Sequence, residues 1–287
     1  MWNRKLCLGA GGFGVSGPEQ MEIFAKTGFD AFFTGWNPGR DPGDTIRRGR
    51  ELGLELQSIH APWGKSAVIW GEDETAGQLA IDEFSACLAC CEKYSAPMMI
   101  VHAFVGFEDH SPTEIGVERF GVIVKRAAEA GIKIAFENTE GEEYLAALMD
   151  AFKGEKNVGF CWDSGHEMCY NHSKDMLALY GDRLFGTHLN DNLGIRDFDG
   201  KITYIDDLHL LPFDGIADWD GIARRLDLCG FDGPLTFELN VMSKPGRRDN
   251  DIYRKLSPEE YIAECYKRAC RVAAKMKGAF HLKGEQK

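Results

Sequence analysis

No run in this chain is apolar for long enough to cross a bilayer; Gly, Lys or Glu interrupts every candidate. The opening residues, MWNRKLCLGAGG, lack the apolar stretch of ~7–15 residues that directs secretion. A cytoplasmic location is therefore expected, with no membrane partner. Positive charge is in deficit: 33 Lys and Arg stand against 45 Asp and Glu, a formal net charge of −12. A general nucleic-acid surface is basic, so a nucleic-acid partner is not expected. Ordered cysteine pairs are missing too. The nine cysteines are odd in number and scattered, and Cys87, Cys90 and Cys91 share one predicted helix with no second pair nearby to complete a zinc site. They read as structural thiols in a reducing compartment. The glycines of GAGGFG at 9–14 lack the Lys-Ser/Thr of a phosphate loop. No low-complexity linker divides the chain.

What is present is alternation. Short apolar runs at 5–9, 30–36, 54–60, 98–104, 132–138, 158–162, 184–191 and 234–239 read as strands. Helical patterns fall between and after them at 18–28, 43–53, 75–95, 113–130, 142–152, 173–181, 219–229 and 258–277, with Ser16 as a cap for the first. Strands that alternate with helices imply a parallel sheet. Eight such units in 287 residues predict one α/β domain over 1–287, a single (β/α)8 TIM barrel with long loops at about 192–218 and 241–257.

In such barrels, reactive groups lie at the carboxyl ends of the strands. Four runs here end in an acid or an imidazole: IAFEN at Glu137, FCWDSGH at Asp163 and His166, FGTHLND at His188, and PLTFELN at Glu238. An unpaired carboxylate after a buried strand is costly. A shared divalent ion held by Glu137, Asp163, His188 and Glu238 is the simplest way to group these donors. His60 and His102 end two further strands and, with His166 and Trp63, are candidate substrate contacts. Trp36 and Phe104 are candidates, with Trp63, for an apolar wall. Asp207 and His209 form an Asp-x-His pair in the first long loop, either an additional metal site or an ordinary turn. Lys244, Arg247 and Arg248, in the second long loop, read as a solvated charge run, which favours an unphosphorylated substrate.

The FEN, WDSGH, HLND and FEL motifs, in that order on strands five to eight, resemble those of the xylose-isomerase-like barrels. The resemblance covers nearly the whole chain and lies nearest the ketose 3-epimerase branch. It implies a metal-dependent sugar isomerase or epimerase, with Glu137, Asp163, His188 and Glu238 as ligands of one divalent ion. Manganese heads the expectation, and magnesium, cobalt and zinc also fit an oxygen-rich site with one imidazole. The implied chemistry is proton abstraction beside a carbonyl through an enediolate, with Glu137 and Glu238 as acid and base. Arg196 matches an arginine that touches substrate in related epimerases. The expected partner is a small sugar or polyol, and homo-oligomer formation stays open. Alternatives on the same scaffold are a sugar or inosose dehydratase, a C-glycoside-cleaving lyase, an endonuclease IV-like zinc enzyme, and a non-catalytic sugar-binding partner. Endonuclease IV adds histidines after strands three and four, another three residues after the strand-six Asp, and an Asp-x-His loop. His60, His102, His166, Asp207 and His209 stand at those places, but they are not expected to ligate further ions, because the chain shows no DNA-binding surface.

Overall fold

The computed structural model describes residues 3–108, 111–195 and 201–278. Its elements, in chain order, are β1 (Leu6–Ala10), α1 (Gly17–Thr27), β2 (Ala31–Gly35), α2 (Gly43–Glu51), β3 (Glu55–His60), α3 (Glu74–Lys93), β4 (Met98–His102) and α4 (Glu114–Glu129). Then come β5 (Lys133–Glu137), α5 (Glu142–Ala151), β6 (Val158–Asp163), α6 (Ser164–Cys169), α7 (Met176–Tyr180), β7 (Leu184–His188), α8 (Trp219–Leu228), β8 (Leu235–Phe237) and α9 (Pro258–Ala273).

All eight strands pair in parallel, in the order β7-β6-β5-β4-β3-β2-β1-β8. The two end strands meet through a parallel bridge between Leu189 and Phe237. There the Leu189 N–H donates to Thr236 O at 2.7 Å, and the Glu238 N–H to Leu189 O at 3.3 Å. The result is the (β/α)8 barrel expected from the alternation.

Strand alternation sorts side chains into two sets. One set packs outward against the helices in the main core: Leu6, Leu8, Phe32, Ile134, Phe136, Phe160 and Trp162. The inward set is small. Cys7, Ala31 and Phe33 form one buried cluster, and Met98, Ile100, Ala135 and Cys161 another. Gly9 is needed at its position because a Cβ there would lie 2.6 Å from the Phe33 ring. That ring crosses the barrel interior and stacks on His188 at 4.7 Å, forming a floor under the mouth.

The helix ends follow local chemistry. Ser16 and Glu19 form a capping box before α1, as do Ser257 and Glu260 before α9, each with Pro inside the first turn. Sequence reading missed α6, because Gly165 interrupts the apolar pattern. Asp163 starts this helix by accepting the His166 N–H at 2.7 Å. Strand eight also stops earlier than expected, at Phe237. No described helix is long and apolar enough to cross a membrane.

Candidate metal centre

Register brings the strand tips together. His102 pairs across from Glu137, and Asp163 from His188. Because these residues share the inward parity of their strands, the four side chains converge on one point at the carboxyl end of the barrel. Glu238 joins them from the residue just after β8. One donor atom each from Glu137, Asp163, His188 and Glu238 lies within 4.8 Å of the others, and the same holds for His60, Glu137 and His188 and for His166, Asp207 and His209.

Glu137 is the hub. It is fully buried. His188 Nδ1 lies 2.9 Å from its Oε1. His60 Nε2 and His102 Nε2 lie 3.2 Å and 3.3 Å from its Oε2. His188 Nδ1 is also 3.2 Å from Glu238 Oε2, so the two glutamates flank one imidazole nitrogen. Glu238 is the more open of the two, with 30 % of its side chain exposed. The route that sequence reading offered His60 and His102, contact with substrate hydroxyls, now has a rival: both point their Nε2 atoms at Glu137.

Backbone carbonyls set the histidine tautomers. The Nδ1 of His60, His166 and His209 faces Ala61 O at 2.7 Å, Asn138 O at 2.9 Å and Glu238 O at 3.1 Å. A carbonyl accepts only from N–H, so the neutral form of each ring turns an Nε2 lone pair towards the centre. This is the outer support typical of metal-ligating histidine. His188 Nε2 and His102 Nδ1 are buried without a hydrogen-bond partner among the described residues.

Two side-chain amides fix Asp163. The Asn138 side chain donates to Asp163 O at 2.9 Å and accepts from the Asp163 N–H at 2.7 Å, extending the β5–β6 ladder past the strand ends. Asn190 Nδ2 donates to Asp163 Oδ2 at 2.9 Å, and Ser164 exchanges hydrogen bonds with the Asn190 backbone at 2.7 Å and 3.0 Å. Gly165 leaves room for this clasp, since a Cβ would lie 1.9 Å from Asn190 Oδ1. Asn138, Ser164 and Asn190 stand inside the FEN, WDSGH and HLND motifs, where the residue pattern alone gives them no role. Their signal is position: each immediately follows or closely flanks a strand-tip donor.

The first long loop delivers the outer donors. Asp191 holds it down, accepting from Trp219 Nε1 at 2.8 Å and from the Phe213 and Ala217 N–H groups at 2.8 Å and 3.0 Å. His209 has φ 49°, a left-handed conformation seldom taken by non-glycine residues. That twist aims its Nε2 at Asp207, 2.9 Å away. His166 Nε2 approaches Asp207 Oδ1 at 3.5 Å. Asp207 and His209 thus belong to the mouth rather than to a solvated turn. Trp63 is 55 % exposed and stacks beside His102 at 6.0 Å, on the rim where a substrate would enter. Arg196 lies outside the described residues. The solvated charge run expected at 244–248 is corrected in part. Lys244 is 20 % exposed and pairs with Asp207, and Arg247 is 12 % exposed and pairs with Asp249, because the loop folds back over the mouth.

The electrostatics are those of carboxylates and imidazoles buried together. Burial opposes ionisation of Glu137, Asp207 and Glu238, yet the surrounding imidazoles outweigh it. They hold Glu137 and Asp207 well below the usual carboxylate range and bring Glu238 to about 2. Burial likewise opposes charge on the imidazoles, but the carboxylates push His166 and His188 well above the ordinary value and His209 up to about 9. Asp163, where burial prevails, is raised. His102 is lowered, again chiefly by burial. Carboxylates and imidazoles that must share protons this closely fit a divalent ion, whose charge replaces those protons.

A pH dependence follows. A ligating imidazole must be neutral, so ion uptake near neutral pH expels protons from His188 and, where the outer triad is used, from His166 and His209. Affinity should climb with pH as these raised imidazoles lose their protons, His209 doing so at about 9. Calorimetric titration in buffers of different ionisation enthalpy should register the proton release. Affinity independent of pH, with no proton release, would contradict the assignment of histidine ligands.

Known proteins add to this geometry. Residues 21–264 match the family described as xylose isomerase-like TIM barrel. The chain belongs to that family. A curated relative, the uncharacterized protein y4fM of Sinorhizobium fredii (strain NBRC 101917 / NGR234), is 32% identical over 161 residues, 52% of this chain. The matched stretch spans about half, 48%, of that relative's length. Among solved structures, the IOLI protein with a bound zinc atom superposes with a TM-score of 0.71 at 20% identity, over 97% of this chain and 100% of that one. D-psicose 3-epimerase from Clostridium cellulolyticum H10, solved with D-tagatose, gives 0.67 at 15% identity, over 93% and 99%. At these identities the two structures establish the shared barrel.

Proposed function

We propose that this family member is a divalent-metal-dependent isomerase or epimerase that moves a proton beside the carbonyl of a small, unphosphorylated sugar or polyol. The observation that carries the reading is the approach of both Glu137 and Glu238 to His188 Nδ1, at 2.9 Å and 3.2 Å. Two ionised carboxylates facing one point are what removal and return of a carbon-bound proton require. The zinc-bound and epimerase structures sharing the barrel agree with it.

Glu137, Asp163, His188 and Glu238 would hold the ion. A bound divalent cation supplies Lewis acidity to a carbonyl and a neighbouring hydroxyl; manganese, magnesium, cobalt and zinc all suit the donors. The chain's own groups do the rest. Glu238, open to the mouth, is placed to take or return the proton. Glu137 is assigned the opposite transfer, with narrower access because imidazoles cover both its oxygens. Asp163, locked by Asn138 and Asn190, fixes the centre's position. His60, His102 and His166 line the approach, and Trp63 offers an aromatic face to a sugar ring. Arg196 is kept as a proposed substrate contact.

A second reading rests on one observation: the donors form three clusters at one mouth, two of which share Glu137 and His188. Such a set suits several ions and hydrolytic chemistry of the endonuclease IV kind. Turnover assays separate the readings. Free ketoses, inososes and abasic DNA are tested, each with manganese, magnesium, cobalt and zinc. The proposal expects conversion of a ketose or inosose and no cutting of DNA. Incision of abasic DNA by protein carrying three tightly held zinc ions would establish the second reading instead.

A further inference from the structure

We propose that Lys244 is a built-in competitor for the outer cation subsite. Its ammonium occupies one side of Asp207 and keeps the affinity of the His166–Asp207–His209 triad for a divalent ion well below that of the Glu137–Asp163–His188–Glu238 set. The inference rests on the reading of the barrel mouth as a metal centre.

Three observations carry it. The first is contact: Lys244 Nζ lies 3.2 Å from Asp207 Oδ2, with the two side chains 20 % and 11 % exposed. The second is how the lysine is presented. Lys244-Pro245-Gly246-Arg247 is a tight turn in which the Arg247 N–H donates to Lys244 O at 3.0 Å. Gly246 has φ 74°, as the third residue of such a Pro-Gly turn requires. Asn250, almost fully buried, ties the two ends of the strap together. Its Nδ2 donates to Asn240 O at 2.9 Å, and its N–H donates to Ser243 Oγ at 3.0 Å. The lysine is therefore held over the mouth by a structured loop.

The third observation is a difference in charge between the two donor sets. Asp207 is the outer triad's one carboxylate, and Lys244 already balances it. An ion entering there must share that carboxylate with a like charge already on its Oδ2. The inner set has three carboxylates, and no Lys or Arg among the described residues pairs with any of them. The inner set should fill first, and the outer triad only as the lysine is displaced.

The test is zinc binding by equilibrium dialysis against a buffered zinc series, starting from the full-length protein stripped with chelator. It compares wild type, Lys244→Met, Lys244→Arg, and Lys244→Met combined with His209→Gln. Wild type should hold one ion tightly and a further one weakly. Lys244→Met should tighten the weaker ion at least ~10-fold; Lys244→Arg, which keeps the charge, should behave as wild type. The double variant should lose the gain, placing it in the outer triad. Melting of the stripped proteins checks folding, and Lys244→Gln repeats the measurement should the methionine variant not fold. An unchanged or weaker second ion in Lys244→Met would overturn the proposal, since the lysine would then be orienting Asp207 for the ion. Ions of equal affinity in wild type would also overturn it. If none of the proteins takes up zinc, the metal reading itself fails, a result distinct from the other two.

Discussion

Glu137→Gln should lose turnover by ~10⁴, the upper end of what a general acid or base contributes, and most of its metal as well. Among the described residues no other carboxylate meets three imidazoles; His188, His60 and His102 lie 2.9 Å, 3.2 Å and 3.3 Å from Glu137. An amide in its place offers one neutral oxygen and one N–H₂. The oxygen can face only one side, and the N–H₂ must point at nitrogens that should be binding an ion. In the stripped protein the same change removes the counter-charge of buried imidazoles. Breaking a buried pair in this way typically costs ~3–5 kcal/mol, so the variant should melt well below wild type. Elemental analysis after reconstitution, turnover on the accepted substrate, and thermal unfolding with chelator check the three parts. Near-normal metal and rate would make Glu137 a structural carboxylate.

Glu238→Gln should behave differently. Its side chain is 30 % exposed and faces the mouth, where a substrate carbon can reach it. In the stripped protein His188 and His209 help hold it at about 2, so it is ionised and ready to accept a proton throughout the neutral range. Glutamine cannot accept that proton, and the expected loss is ~10²–10⁴ in turnover. Glu137, Asp163 and His188 remain, and the amide oxygen is still a weak donor, so most of the ion should stay. The signature is a large fall in kcat at nearly full metal content, the reverse of Glu137→Gln, where metal falls with it. Metal loss equal to that of Glu137→Gln would make Glu238 a ligand and nothing more.

The two variants part on a feature that no residue pattern carried. Period-two alternation and parallel pairing were enough to send Glu137, Asp163 and His188 to one end of the barrel, because those properties are local and repeat along every strand. Exposure is not local. Which glutamate is enclosed depends on His60, His102 and His188 closing over Glu137 from three different strands. The direction of each imidazole was hidden for the same reason: it is set by single carbonyls such as Ala61 O and Asn138 O. The clasp of Asn138, Ser164 and Asn190 replaces backbone pairing with side-chain pairing, and no hydrophobic period reports that. Lys244 read as solvated because a charged loop residue usually is; its burial depends on Asn250 folding the strap back.

The central claim is that the carboxylates at this mouth exchange a carbon-bound proton of a sugar. Proton NMR of metal-loaded wild-type protein with its accepted ketose or inosose in heavy water tests this most directly. The account predicts that deuterium enters at a single carbon beside the carbonyl, in both the recovered substrate and the product, and that chelator stops the exchange. Conversion to product with no deuterium at any carbon would contradict it.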